Sequence, residues 1–194
     1  MKVIGLTGGI GMGKSTAAQA FRRAHIPVYD ADADVHRMYL KGGRAVWPIE
    51  LAFPGSVVDG AVDRGKLRPV LQQPENLRRL EAIVHPLVRD NVRRFIARAR
   101  RISAPAVVID NPLLIEMGMA DEVDLVLVVS APLSVQVQRV MLRGRMTADQ
   151  VRAVIARQMP DAQKRRRADI VIRTGLSRNN TLRQLRPLIR SLHT

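Results

Sequence analysis

The hydrophobic pattern opens as a strand. Lys2 to Thr7 is apolar and β-branched and runs into the glycine-rich string GGIGMGKST. From Ser15 to Ala24 the period becomes helical, with Ala17, Ala18 and Phe21 spaced for a buried stripe. Pro27 and Val28 then begin a short extended segment that ends at Asp30. Strand, glycine loop, helix and strand in this order predict a βαβ unit, whose parallel strands need helices on both faces. From about Val35 to Arg101 the pattern is helical and lacks strong strand candidates. Asp63 is placed to cap a helix reaching Leu71, Pro74 starts another, and Val88, Val92, Phe95, Ile96 and Ala99 form one stripe. Strands resume at Ala106 to Ile109 and Val123 to Val129, near-continuous apolar runs suited to the centre of a parallel sheet. A last one, Ile170 to Ile172, precedes a helix whose Leu182, Leu185, Leu188, Ile189 and Leu192 dock on the core.

These elements predict one α/β domain without a dividing linker or repeat. Its core takes residues 1–31, 104–133 and 168–194, with a helical insertion over about 32–103. Residues 134–167 read as a basic helical hairpin broken by Gly144 and Pro160, a candidate lid.

Composition changes this picture little. At 194 residues and 46% apolar, the chain is long enough for one substantial core, and 3% aromatics leave few platforms for stacking bases. No cysteine occurs, which excludes disulfides and thiolate chemistry, and the four histidines are scattered. No apolar run approaches the ~20 residues of a membrane span, and the first residues do not read as a signal peptide. A cytoplasmic protein is expected. The net charge of +15 raises nucleic-acid binding. The charge is spread along the whole chain, however, and a generally basic surface that attracts anionic metabolites accounts for it.

The chemistry concentrates at Gly8 to Ser15. GGIGMGKS fits GxxxxGK[ST], the P-loop, in the required setting between strand and helix. Glycines let successive amides converge on phosphate oxygens, and the helix N-terminus adds its positive end. Lys14 then bridges the outer phosphates and the Ser15 hydroxyl ligates Mg²⁺. No NKxD string appears, which disfavours a GTPase, while a helical insertion and a basic lid suit a small-molecule kinase that must exclude water.

Asp30 and Asp32 follow the second strand on the carboxyl side, where open α/β folds hold ligands. Asp30 reads as the cap of a helix beginning near Ala33, and Asp32 as the carboxylate that orients or deprotonates an attacking hydroxyl. Asp110 ends the run VVID and suits a carboxylate near the magnesium water shell, or a simple turn residue. His85 and Pro86 read as the junction of two insertion helices. Arg139 and Arg143, four apart on a predicted helix, can serve as arginine fingers or as solvated surface charges. Pro112, Leu113 and Leu114 suit either a substrate wall or ordinary core. On these residues a kinase for another small acceptor, or a nucleotide-dependent nucleic-acid-binding switch, also stays open.

The series IGLTGGIGMGKST, DADADVHRMY, AVDRGKL, IVHPLV, IDNPLLIE and RQMPDAQKRRRAD resembles the dephospho-CoA kinase family in order and spacing over nearly the whole chain. Asn111, Ile115 and Arg173 depart from its usual pattern, as does the order of RGRMT in the lid. The resemblance implies a core with a five-stranded parallel sheet, a helical substrate-binding insertion and a lid. It implies transfer of the γ-phosphoryl group of ATP to the ribose 3′-hydroxyl of dephospho-CoA, giving CoA and ADP, with Mg²⁺ as cofactor. By position, Asp32, Lys14 and Arg139 would be catalytic. Gly8, Gly9, Gly11, Met12, Gly13, Ser15, Thr16, Arg143, Thr174 and Gly175 would complete the ATP site. His85, Pro86, Arg89, Leu113 and Leu114 would meet the acceptor, and Ser15 and Asp110 the metal, Asp110 through water. Partners other than ATP and dephospho-CoA are not expected: no nucleic acid, no membrane, and a monomer or weak homo-oligomer.

Overall fold

Strand β1, Lys2–Thr7, is buried from Val3 onward because strands flank it on both sides and helices cover it. It pairs in parallel with β5 (Ala106–Asp110), Ile4 opposite Val108, and with β6 (Leu125–Ser130), Leu6 opposite Leu127. With β2 (Val28–Asp30) and β7 (Ile170–Arg173) these make a five-stranded parallel sheet in the order β2-β5-β1-β6-β7. This computed structural model describes residues 1–144 and 146–193; Arg145, inside the expected lid, and Thr194 lie outside the described residues.

Two compact units are distinguished: Met1–Tyr29 together with the chain from Arg98 onward, and Asp30–Ala97. In the first, α1 (Lys14–Arg23) buries Ala17, Ala18 and Phe21, and α9 (Arg178–Ser191) buries Leu185 in the same apolar cluster. Parallel strands put the carboxyl ends of β1, β5, β6 and β7 on one edge of the sheet. The loops after Thr7, Asp110, Ser130 and Arg173 therefore gather there, the edge on which open α/β folds hold ligands. Gly5 in β1 lets Leu114 lie flat on the strand, where a Cβ would collide with the leucine side chain. The expected lid segment holds α6 (Leu133–Met141), α7 (Ala148–Arg157) and α8 (Asp161–Arg166), with breaks at the expected Gly144 and Pro160.

The second unit contains α2 (Ala31–Tyr39), α3 (Val46–Ala52), α4 (Arg64–Val70) and most of α5 (Pro74–Arg101). Asp63 caps α4 by accepting from the Gly65 and Lys66 amides, as its position before the apolar run implied. Buried Asp34 is held by Arg37 at 2.9 Å and by the Asn91 amide at 2.7 Å, tying α2 to α5.

Two expectations are corrected here. The insertion is not wholly helical, since Val57–Val58 (β3) and Ala61–Val62 (β4) form an antiparallel hairpin turning on Asp59 and Gly60, both at positive φ. Nor do His85 and Pro86 join two helices. Pro86 lies inside the continuous 28-residue α5. Proline there removes one helical hydrogen bond and crowds the preceding turn. Burial of Leu80, Val84, Val88 and Val92 along one stripe, on both sides of the proline, offsets that cost and holds the helix together.

Candidate active site

The loop between β1 and α1 has the backbone that phosphate binding needs. Gly11 and Gly13 sit at φ 74° and 88°, in the left-handed region that favours glycine. A Cβ on Gly11 would come within 2.7 Å of the Gln136 carbonyl oxygen, so α6 packs against this loop only because the side chain is missing. Gly13 stands at the N-cap of α1 and brings no side chain to the helix start, whose positive end favours an anion. Lys14 reaches back across the sheet edge, its Nζ 2.6 Å from Oδ1 of buried Asp110. Ser15 is exposed at the helix start and Thr16 half-buried.

Several expected nucleotide contacts shape the loop from behind. Thr174 is buried, and its hydroxyl donates to the Met12 carbonyl at 2.6 Å while its amide donates to the Ser130 carbonyl at 2.8 Å. Met12 is buried as well, and its sulfur accepts from the Gly9 amide at 3.1 Å. Arg139 donates to the Thr174 carbonyl at 2.6 Å and to the Gly11 carbonyl at 3.3 Å, a clamp between two loops. Arg143 does not share its helix face: α6 ends at Met141, and Arg143 is exposed in the turn that Gly144 completes. Gly175 borders a cavity of about 490 Å³ whose lining includes Ser130, Pro132, Asp161, Arg165 and Arg173.

The turn after β5 forms the other wall. Asn111 is buried; its side-chain oxygen accepts from the Leu113 amide at 2.9 Å and its amide group meets the sulfurs of Met117 and Met119. Leu113 is half-buried. Leu114 is fully buried against β1, so its expected place among acceptor contacts is corrected to core. Sequence reasoning gave no role to Gln158, Glu116 or Lys164. Lys164 is 1% exposed, donates to the Pro112 carbonyl at 2.7 Å and pairs with Glu116 at 2.8 Å. Gln158 accepts from the Ile10 amide at 3.0 Å.

Mg²⁺ demands hard oxygen donors, keeps much of its water and takes phosphate oxygens as ligands. The Ser15 hydroxyl and the Asp110 carboxylate suit that chemistry, and no cluster of three or more acidic or histidine side chains among the described residues offers a protein cage instead.

In the second unit Asp30 caps α2, accepting from the Ala33 amide at 3.0 Å, so the helix begins two residues earlier than its pattern implied. Asp32 stands exposed in the first turn. His85 and Arg89, four residues apart on α5, share a face, and Pro86 beside them is exposed. Burial holds the His85 imidazole below the ordinary histidine range; Glu81 opposes the shift and Arg89 adds to it. A lowered folded value means the unfolded chain takes up the proton first on acidification. His85 therefore costs no stability at neutral pH and costs progressively more as pH falls from the ordinary histidine value to the lowered one. The thermal midpoint of His85→Gln is expected to fall less steeply over that window than that of the parent protein; identical slopes would remove His85 from the acid response.

The dephospho-CoA kinase family model matches residues 2–180. The chain belongs to the dephospho-CoA kinase family. A dephospho-CoA kinase of Rhodopseudomonas palustris strain HaA2 is 48% identical over 190 residues, spanning 97% of this chain and 94% of that one. A crystal structure from Thermus thermophilus superposes with a TM-score of 0.85 at 37% identity, covering 100% and 98% of the two chains. The dephospho-CoA kinase of Campylobacter jejuni shares the fold, with a TM-score of 0.73 at 21% identity over 98% and 96%. Membership makes the chain a kinase of dephospho-CoA with ATP as co-substrate, acting in the last step of CoA biosynthesis.

Proposed function

We propose that this chain carries out its family's reaction at the β1–α1 loop, with Lys14 and the amides of Gly11 to Thr16 holding the triphosphate and Asp32 managing the acceptor hydroxyl. Asp32 takes the proton from the ribose 3′-hydroxyl, or orients it, as the oxygen bonds to the γ-phosphorus. The bond from that phosphorus to the β–γ bridging oxygen breaks and ADP leaves. The protein's work here is positioning and neutralising charge, since the transferring phosphoryl group asks for little covalent assistance. Lys14 can exchange its pairing with Asp110 for the outer phosphates. Mg²⁺, held by Ser15 and through water by Asp110, would neutralise charge between the β- and γ-phosphates.

Arg139 reaches the transferring group only by giving up a carbonyl of its present clamp; otherwise it acts by fixing Gly11. His85, Pro86 and Arg89 are the proposed acceptor contacts on α5, and Arg143 and Gly175 the proposed ATP contacts outside the loop. The α6–α8 segment is the proposed lid. No helix among the described residues is long and apolar enough to cross a membrane, and a cytoplasmic enzyme working without nucleic acid is proposed.

The observation that carries this reading is the Lys14–Asp110 pair at 2.6 Å beside a helix start whose N-cap is a left-handed glycine, in a chain of this family. A coupled ADP-release assay with Mg²⁺-ATP tests it. Dephospho-CoA should support turnover, while adenosine, AMP and phosphopantetheine should not. Turnover of AMP with dephospho-CoA left untouched would overturn it.

A further inference from the structure

The segment 158–164 joins α7 to α8 and is pinned to three of the four loops at the carboxyl edge of the sheet. Gln158, the residue that ends α7, places its side-chain oxygen 3.0 Å from the Ile10 amide nitrogen and accepts its hydrogen. The same oxygen lies 2.9 Å from where a Cβ on Gly9 would be, so the glycine is what admits it. Three residues on, Asp161 accepts from the Ser130 hydroxyl at 2.9 Å, which fixes the segment to the end of β6. Lys164 then donates to the Pro112 carbonyl, which also accepts from the buried Thr7 hydroxyl at 3.1 Å. A lysine this buried is costly unless it is paired, and its pairing with Glu116 at 2.8 Å meets that condition.

We propose that Gln158 is a positioning residue for the nucleotide: by accepting from the Ile10 amide it sets the entry of the phosphate loop, so that the amides after it converge on the triphosphate. This rests on the proposed nucleotide-binding role of that loop. Asp161 and Lys164 are its anchors; they hold the segment to β6 and to the turn after β5, so the Gln158 oxygen arrives already placed. A neutral acceptor suits the position. A carboxylate would satisfy the same amide but would set a negative charge beside a polyanion.

Two variants separate this role from a merely structural one. Gln158→Met keeps the bulk and loses the acceptor. Gln158→Glu keeps the acceptor and adds the charge. ATP affinity is measured by calorimetric titration of Mg²⁺-ATP without acceptor, so the result stands even if dephospho-CoA proves not to be the substrate. Loss of one hydrogen bond corresponds to about a tenfold rise in Kd for Gln158→Met. Gln158→Glu should weaken ATP by at least as much while its thermal midpoint stays at the parent value. In turnover, KM for ATP should rise in both variants and KM for dephospho-CoA should not. ATP affinity within about twofold of the parent in both variants, or weakening confined to Gln158→Met and matched by a fallen thermal midpoint, would overturn the assignment.

Discussion

Lys14→Ala is expected to lower kcat by about two to three orders of magnitude, the loss that follows removal of one preorganised group facing transition-state charge. The geometry adds a second effect of the same sign. Lys14 lies 2.6 Å from Asp110, which is buried at the end of β5, and without the ammonium that carboxylate faces the phosphates with its charge uncompensated by Lys14. Removing one partner of a buried pair also costs stability, about 3 kcal/mol or somewhat more where both groups are desolvated; Lys14 keeps 17% of its side chain exposed and should fall below that. The two losses can be separated. In Lys14→Met with Asp110→Asn, the thermal midpoint should return most of the way to the parent value while turnover stays low. If the double variant recovers turnover as well, the pair is structural and Lys14 has no part in transfer. Full turnover by Lys14→Ala alone would remove the phosphate site from this loop altogether.

The core elements were legible because each combined a period with punctuation. β1 runs straight into GxxxxGK[ST], and a strand followed by that string admits few other structures. β5 and β6 are short continuous apolar runs rich in β-branched residues, a pattern suited to the interior of a parallel sheet. The β3–β4 hairpin was legible and was missed. Val57-Val58-Asp59-Gly60-Ala61-Val62 places Asp-Gly between apolar pairs, the strongest short-range hairpin signal, but two-residue strands have no period to find amid helical neighbours. Pro86 misled in the opposite direction. Proline is a local breaker and suggests a boundary, but packing of α5 over 28 residues outweighs one lost hydrogen bond.

At the candidate site, residues that belong to a motif can be read locally, and residues that meet only through the fold cannot. Gln158 and Lys164 lie about 150 residues along the chain from Ile10 and about 50 from Pro112, and they meet these partners only through the fold. RQMPDAQK marks them as part of a family string but carries no local sign of what each one touches. Thr174 and Arg139 were named as ligand contacts for the same reason. The string marks them as candidates, and the structure shows the hydroxyl donating to the Met12 carbonyl and the guanidinium to two further carbonyls.

Asp32→Asn is expected to leave ATP binding intact and to lower kcat by about two to four orders of magnitude, the range for losing a positioned proton acceptor. The argument starts from the division of labour between two carboxylates two residues apart. Asp30 is committed to the backbone: it caps α2 through the Ala33 amide, and the helix start depends on that bond. Asp32 stands exposed in the first turn of the same helix, the carboxylate proposed to receive the acceptor's proton. Asparagine keeps the shape and can still accept a hydrogen bond, so it tests the charge and basicity of Asp32 rather than its bulk. The stability change should be small, about 0.5 kcal/mol from the lost charge at the helix start. A fall in kcat at constant ATP affinity and nearly constant thermal midpoint therefore assigns the chemistry to the carboxylate. An unchanged kcat would mean that phosphoryl transfer here runs without a side-chain base at this position, with the hydroxyl activated only by its placement against the γ-phosphorus.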